Sequence, residues 1–428
     1  MSVRDRLEQA LAAIADRKGE GARACLTVYA GAARAAADAA DARAKAGISL
    51  GPLDGTIVTI KDLFDVSGEP TRAGSRILAD ALPATADAPV VRRLRAAGAV
   101  IIAKTNMTEF AFSGVGMNPH YGTPGNPADR TRVPGGSSSG AAVATADRMC
   151  EIAIGTDTGG STRIPAALCG IVGFKPSQWR IPTEGAFPLS FTLDSIGPLA
   201  RSVADCARGD AVLAGEDFAP LQPAPVAGLR LGVPRGLLST EWDNTVGTRF
   251  GAARKKLADA GARITDEPMP LVDEMVTVNA KGGFAPAEAF SIHRESLAKR
   301  ANEFDPNVRF RIERGGNVTA ADYVDMMRAR VRLVRAMDAQ LSAFDAWMMP
   351  TTAIVAPTIA EMHDTRTFND KNMLLLRNTL GWNFFDNCAI SIPTPGSGLP
   401  VGLMLVGRNG HDRRLFEIAA GIERLFAA

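Results

Sequence analysis

Short apolar runs of strand length alternate with helical segments along much of this chain, and that alternation limits the available folds more than any other feature. Ile57–Ile60, Val100–Ala103 and Ile152–Ile154 are apolar runs too short to be helices. Between and after them come helical patterns, one near Val90–Ala97, one starting after Gly140 and one after Ser161. Repetition of this kind predicts an α/β fold with a largely parallel sheet covered by helices. Ser2–Gly47 has alanine-rich helical spacing, broken at Leu26–Tyr29 by a β-like run, and reads as a half-collar packed around the body. Leu229–Pro234, Ala389–Ile392 and Val401–Val406 read as further strands, and Phe250–Ala260, Ala321–Leu341 and Arg413–Ala427 as helices. Pro268–Gly316 has weak periodicity, so residues from about 265 to 320 read as a less regular insertion or lid. No repeat or low-complexity linker divides the chain, and residues 1–428 read as one domain.

Composition removes several classes of function. With 428 residues, 46% of them hydrophobic, the chain can bury a large core. A net charge of +2 leaves no basic footprint for nucleic acid or an anionic membrane. Five cysteines, widely spaced and without a C-x-x-C pair, suggest reduced core thiols and neither a disulfide framework nor a zinc site. The N-terminus opens on a charged amphipathic helix, and no run of about 18 apolar residues occurs. The expected location is the cytoplasm.

In open α/β sheets, chemistry gathers where strand carboxyl ends lead into helix N-termini. Lys61 follows one strand and Ser161 another. Two glycine-rich segments, Pro134–Gly140 and Gly155–Arg163, each put a serine on bare backbone. A serine hydroxyl needs a base. None of the four histidines lies in a glycine-rich turn or a G-x-S-x-G elbow, which disfavours a Ser-His-Asp triad; His120 reads as a loop residue. Lysine is the alternative base if desolvation or a neighbouring cation lowers its pKa. Asp62 is adjacent to Lys61, yet successive strand side chains point to opposite faces, so it need not hold Lys61 charged. In Thr156–Ser161 two glycines let backbone N–H groups converge into a nest suited to an oxyanion. The Gly-Lys-Ser/Thr ending of a phosphate-binding P-loop is missing from both segments.

Together these residues resemble the amidase signature family of serine amidases. The likeness runs through Gly51–Gly55, Lys61-Asp62, Lys104–Asn106, Pro134–Gly140, Gly155–Ser161, Arg163–Pro165 and Gly170–Pro176, with later echoes at Leu193–Pro198 and Leu399–Gly407. It implies the amidase signature fold, a large mixed, mostly parallel twisted β-sheet sandwiched between helices, with a signature core at about 51–210. It further implies a Ser-cisSer-Lys triad: Lys61 as base, Ser137 as the bridging serine of a cis peptide, and Ser161 as nucleophile. The oxyanion would meet the N–H groups of Thr158, Gly159, Gly160 and Ser161, with Asp157 and Arg163 holding the loop. Pocket walls are expected at Ala111, Phe112, Ser113 and Gly114, at Ser138, and at Pro182–Phe187 including Phe187. The resemblance implies a linear amide as substrate, no cofactor and no metal, and it allows a homodimer. The arginines at 309, 311, 314, 328, 330, 332 and 335 read as the solvated face of a helix, with Asp325 set to pair with Arg328, so no acidic substrate is inferred. Two other readings share the motifs: the glutaminase component of a glutamyl- or aspartyl-tRNA amidotransferase, usually longer at its C-terminus, and a non-catalytic scaffold, against which the intact Lys61, Ser137 and Ser161 weigh.

Overall fold

The computed structural model describes residues 1–428. Eleven strands join in one sheet: β1 (Cys25–Val28), β2 (Ile57–Lys61), β3 (Val100–Thr105), β4 (Ile152–Asp157), β5 (Val172–Lys175), β6 (Ser195–Ala200), β7 (Arg230–Arg235), β8 (Arg263–Pro268), β9 (Ala346–Pro350), β10 (Cys388–Pro393) and β11 (Gly402–Gly407). Their spatial order is β1-β3-β2-β4-β6-β5-β10-β11-β9-β7-β8.

The sheet is mixed, as expected, but the parallel share is smaller. β3–β2–β4 and β9–β7–β8 are parallel, whereas the remaining six ladders, through the middle and at the β1 edge, are antiparallel. The alternation that predicted parallel pairing belongs to β2, β3 and β4, and the central strands had weaker signals. β6 carries Gly197 and Pro198, which normally argue against a strand, and β8 is a charged, half-exposed edge.

Every residue of β2, β3 and β4 is buried, which explains their continuous apolar character. Their side chains divide between the faces. Ile57, Val100, Ile102 and Ala153 pack under the helices Val3–Ala15, Ala30–Lys45 and Ser139–Ala146. Val58, Ile60, Ile101, Ile152 and Ile154 face the helices Pro89–Ala96, Val203–Ala214 and Asp412–Ala427. The N-terminal helices therefore cover one end of one face, rather than collaring the body, and β1 extends the sheet edge. All five cysteines are buried and unpaired. No helix is long and apolar enough to cross a membrane.

The weakly periodic stretch is regular after all, folding into the helices Pro270–Val278, Phe284–Arg300 and Pro306–Arg314. Its pattern was obscured because the second helix buries Glu288 and His293 beside Phe284 and Ala289. Glu288 is satisfied locally, accepting hydrogen bonds from Ser190 Oγ at 2.6 Å, Thr192 Oγ1 at 2.5 Å and Tyr323 at 2.7 Å.

Adjacent parallel strands β2 and β4 deliver Lys61 and Asp157 side by side. The helix Ser139–Ala146, made of small residues, lies against them. A Cβ on Gly140 would come within 2.3 Å of the Ala24 carbonyl and 2.6 Å of the Asn106 nitrogen, so only glycine allows this approach.

Candidate active site

Lys61 closes β2 and is fully buried. Its Nζ donates to Ser137 Oγ and to Thr156 Oγ1, each at 2.8 Å. Burial pushes its pKa down to about 7, against the opposing pull of Asp194 and Asp157. Asp62 points elsewhere and accepts from the Gly74 N–H at 3.1 Å, as strand alternation required. The Gly136–Ser137 peptide is cis, and the Ser137 carbonyl accepts from the Thr108 N–H at 3.0 Å.

Asp157, at the end of β4, organises the turn that follows. Its Oδ1 accepts from the Gly160 N–H at 2.8 Å, and its Oδ2 accepts from the Thr162 N–H at 3.1 Å and the Thr162 hydroxyl at 2.9 Å. Arg163 donates to both carboxylate oxygens, Nε at 3.0 Å and Nη2 at 2.8 Å, and neither side chain is exposed. Asn383 Nδ2 adds a bond at 2.9 Å, and Arg163 also reaches the Thr379 carbonyl at 3.0 Å and Asn383 Oδ1 at 2.7 Å. Burial raises the Asp157 pKa, but the Arg163 charge and the hydrogen bonds from Arg163 and Asn383 outweigh it and hold the group well below the usual carboxylate range. The pair is thus buried and fully hydrogen-bonded.

That arrangement revises one expectation. The N–H groups of Thr158, Gly159 and Ser161 have no partner in the protein, whereas the Gly160 N–H is engaged by Asp157. Gly160 braces the turn and leaves three free donors. Its φ of +134°, and the 2.3 Å that would separate a Cβ from Thr379 Oγ1, explain why glycine stands there. Ser161 follows at the entrance to the helix Arg163–Cys169 and is 3% exposed. No hydrogen bond joins Ser137 Oγ to Ser161 Oγ; the closed contact is Lys61 to Ser137.

Ser161, Thr158 and Gly159 line a cleft of about 460 Å³ with Ala111, Phe112 and Ser113. The opposite walls are largely apolar and come from Met275, Phe284, Leu376 and Phe384. Gly114 lies behind the wall; its N–H and the Ser113 hydroxyl both donate to Asn372 Oδ1, at 2.9 and 3.0 Å. Two expected wall residues fall elsewhere. Ser138 is completely buried, its hydroxyl 3.4 Å from the Thr156 carbonyl. Phe187 lines a neighbouring cavity of about 340 Å³ that shares Ala111, Thr158 and Leu189 with the cleft. Histidine is absent from the cleft. His120 is bonded to Glu109 at 2.7 Å, and His293 packs 4.1 Å from the Phe110 ring centroid.

Several residues around the site were not singled out from sequence. Thr156 and Asp194 lie inside quoted motifs, so their positions were visible although their contacts with Lys61 and with Thr158 Oγ1 (2.5 Å) were not. Asn372, Thr379 and Asn383 reach the site only through long-range folding. The basic stretch also proved mixed. Arg330 is buried against Asp386, no ion pair links Asp325 to Arg328, and Arg311 and Arg314 line the cleft.

Comparison with known proteins places this geometry among relatives. The model of the Amidase family matches residues 7–416. A 2-amino-5-chloromuconic acid deaminase of Comamonas testosteroni is 37% identical over 92% of this chain and 86% of its own length. The first of the three components of the glutamyl-tRNA(Gln) amidotransferase of Acidothermus cellulolyticus, its A component, is 36% identical over 94% of this chain and 87% of its own. A crystal structure of an amidase superposes with a TM-score of 0.89 at 33% identity, covering 100% of this chain and 96% of the other.

Proposed function

Because this chain belongs to the Amidase family of amide-hydrolysing enzymes, we propose that it cleaves the C–N bond of a small linear carboxamide through an acyl-enzyme on Ser161. The observation that carries this reading is the 2.8 Å bond from buried Lys61 Nζ to Ser137 Oγ, in a site where burial brings the lysine pKa to about 7. Neutral Lys61 accepts the Ser137 proton, and Ser137 accepts that of Ser161 as its oxygen attacks the amide carbonyl. Negative charge developing on the carbonyl oxygen meets the free N–H groups of Thr158, Gly159 and Ser161. Proton return through Ser137 lets ammonia or an amine leave, and water then releases the carboxylate from Ser161. The deaminase relative supports ammonia as one leaving group.

A fluorophosphonate probe tests the nucleophile. The wild type should be labelled at Ser161 and Ser161→Ala should stay unlabelled; labelling that survives the substitution rejects the assignment. A second reading, as the glutaminase component of a tRNA-dependent amidotransferase, is favoured by the 36% identity to the amidotransferase component of Acidothermus cellulolyticus. It requires partner proteins, so glutaminase activity that appears only on co-expression with the other amidotransferase components would select it over independent hydrolysis of small amides.

A further inference from the structure

The cleft beside Ser161 holds two guanidinium groups, Arg311 and Arg314, and no carboxylate lines it. Arg314 is exposed near the end of the helix Pro306–Arg314, where a cation is favoured by the helix dipole, and needs no other account. Arg311 is different. It is half-buried and forms no ion pair, although its helix neighbour Arg309 pairs with Glu313 at 3.5 Å.

Neutral groups hold the Arg311 head in place. The guanidinium carbon lies 5.2 Å from the Phe368 ring centroid, Nη2 donates to Asn369 Oδ1 at 3.1 Å, and Nη1 donates to the Asn307 carbonyl at 3.3 Å. The remaining N–H donors, including Nε, are uncommitted. Burial pushes the pKa down to about 10, with Asp305 opposing and Arg314 reinforcing the shift. An arginine kept oriented, partly desolvated and without an anion is poised for one, and its planar fork matches a carboxylate. The adjoining walls are apolar, so the same cleft accommodates a hydrocarbon segment between two polar ends.

We propose that the amide substrate carries a free carboxylate, received by Arg311 while its amide carbonyl is presented to Ser161. This deepens the amidase reading and depends on it. The carboxylate remains ionised throughout and takes no part in bond making or breaking; Arg311 sets specificity.

Matched substrates test it. Succinamate and glutaramate are compared with the neutral amides butyramide and pentanamide in the wild type, Arg311→Gln and Arg311→Lys. The wild type should favour the half-amides in kcat/KM by at least about tenfold, the scale of one charge-assisted contact. The ratio should approach unity in Arg311→Gln, mainly through KM, and fall to an intermediate value in Arg311→Lys, which keeps the charge without the fork. A wild type that hydrolyses amides without preference, or a preference that survives in both variants, overturns the assignment while leaving the amidase reading intact. Calorimetric titration of Ser161→Ala with glutaramate provides the arm independent of turnover. Binding that is lost when Arg311→Gln or Arg311→Lys is added supports the carboxylate site even if the wild type hydrolyses none of these amides, a result that would count against the amidase reading alone. Absence of binding, or equal binding without Arg311, rejects the site.

Discussion

Lys61 combines two facts that rarely coincide, complete burial and a hydrogen bond to a serine hydroxyl. A lysine charged at neutral pH would only donate to Ser137; a lysine titrating near 7 can accept. The base is active when neutral, that is above its pKa, so kcat/KM should rise with pH through about 7 and level off on the alkaline side. Asp194 raises the Lys61 pKa, so Asp194→Asn should lower it and move the rising limb to lower pH. A limb that stays put or moves upward in that variant contradicts the coupling. Lys61→Ala should cost roughly 10²–10⁴-fold in kcat/KM, the usual worth of a general base, measured on any amide the wild type turns over. Lys61, Ser137 and Ser161 were legible from sequence because each sits in a short local motif. Arg311 was not, since an arginine on a basic helix looks the same whether its head faces water or a cleft. The difference arises from Phe368 and Asn369, which lie far along the chain.

At the scale of an element, the turn between β4 and the helix Arg163–Cys169 is shaped by one carboxylate. Asp157 takes bonds from Gly160, Thr162, Arg163 and Asn383, and thereby aims the remaining N–H groups at the cleft. Replacing it by asparagine keeps the volume but leaves the Arg163 charge buried without its counter-ion. Asp157→Asn should therefore lose about 3–5 kcal/mol of stability, read from chemical denaturation, with activity falling at temperatures where the variant remains folded. A loss below about 1 kcal/mol would show the pair to be dispensable, as exposed pairs are. Legibility at this scale follows burial. β2, β3 and β4 announce themselves because both faces are apolar, and the helix Phe284–Arg300 hides because its buried side includes Glu288 and His293.

At the scale of the whole molecule, the cleft is assembled from distant parts of the chain. Ser161 and its neighbours come from the turn after β4, whereas Met275, Phe284 and Arg311 come from three helices between β8 and β9, and Leu376 and Phe384 from the segment before β10. Acid–base chemistry and substrate selection are thus carried by different stretches, which is why motifs name the reaction and leave the substrate open. The two meet across the turn between the helices Pro270–Val278 and Phe284–Arg300, where Asn279, Ala280, Gly282 and Gly283 border the cleft and both glycines have positive φ, +138° and +81°. Few apolar contacts anchor that turn, and segments of this kind open locally at low free-energy cost. An adduct on Ser161 that fills the cleft would contact this turn and the Arg311 helix while leaving distant β1 untouched. Hydrogen exchange compared between free enzyme and the fluorophosphonate adduct should accordingly slow at residues 279–286 and 307–314, with no change at 25–28. Equal exchange in both states would mean that the adduct does not reach these walls, and the cleft would then have to be divided into an acyl site at Ser161 and an unrelated pocket beside it.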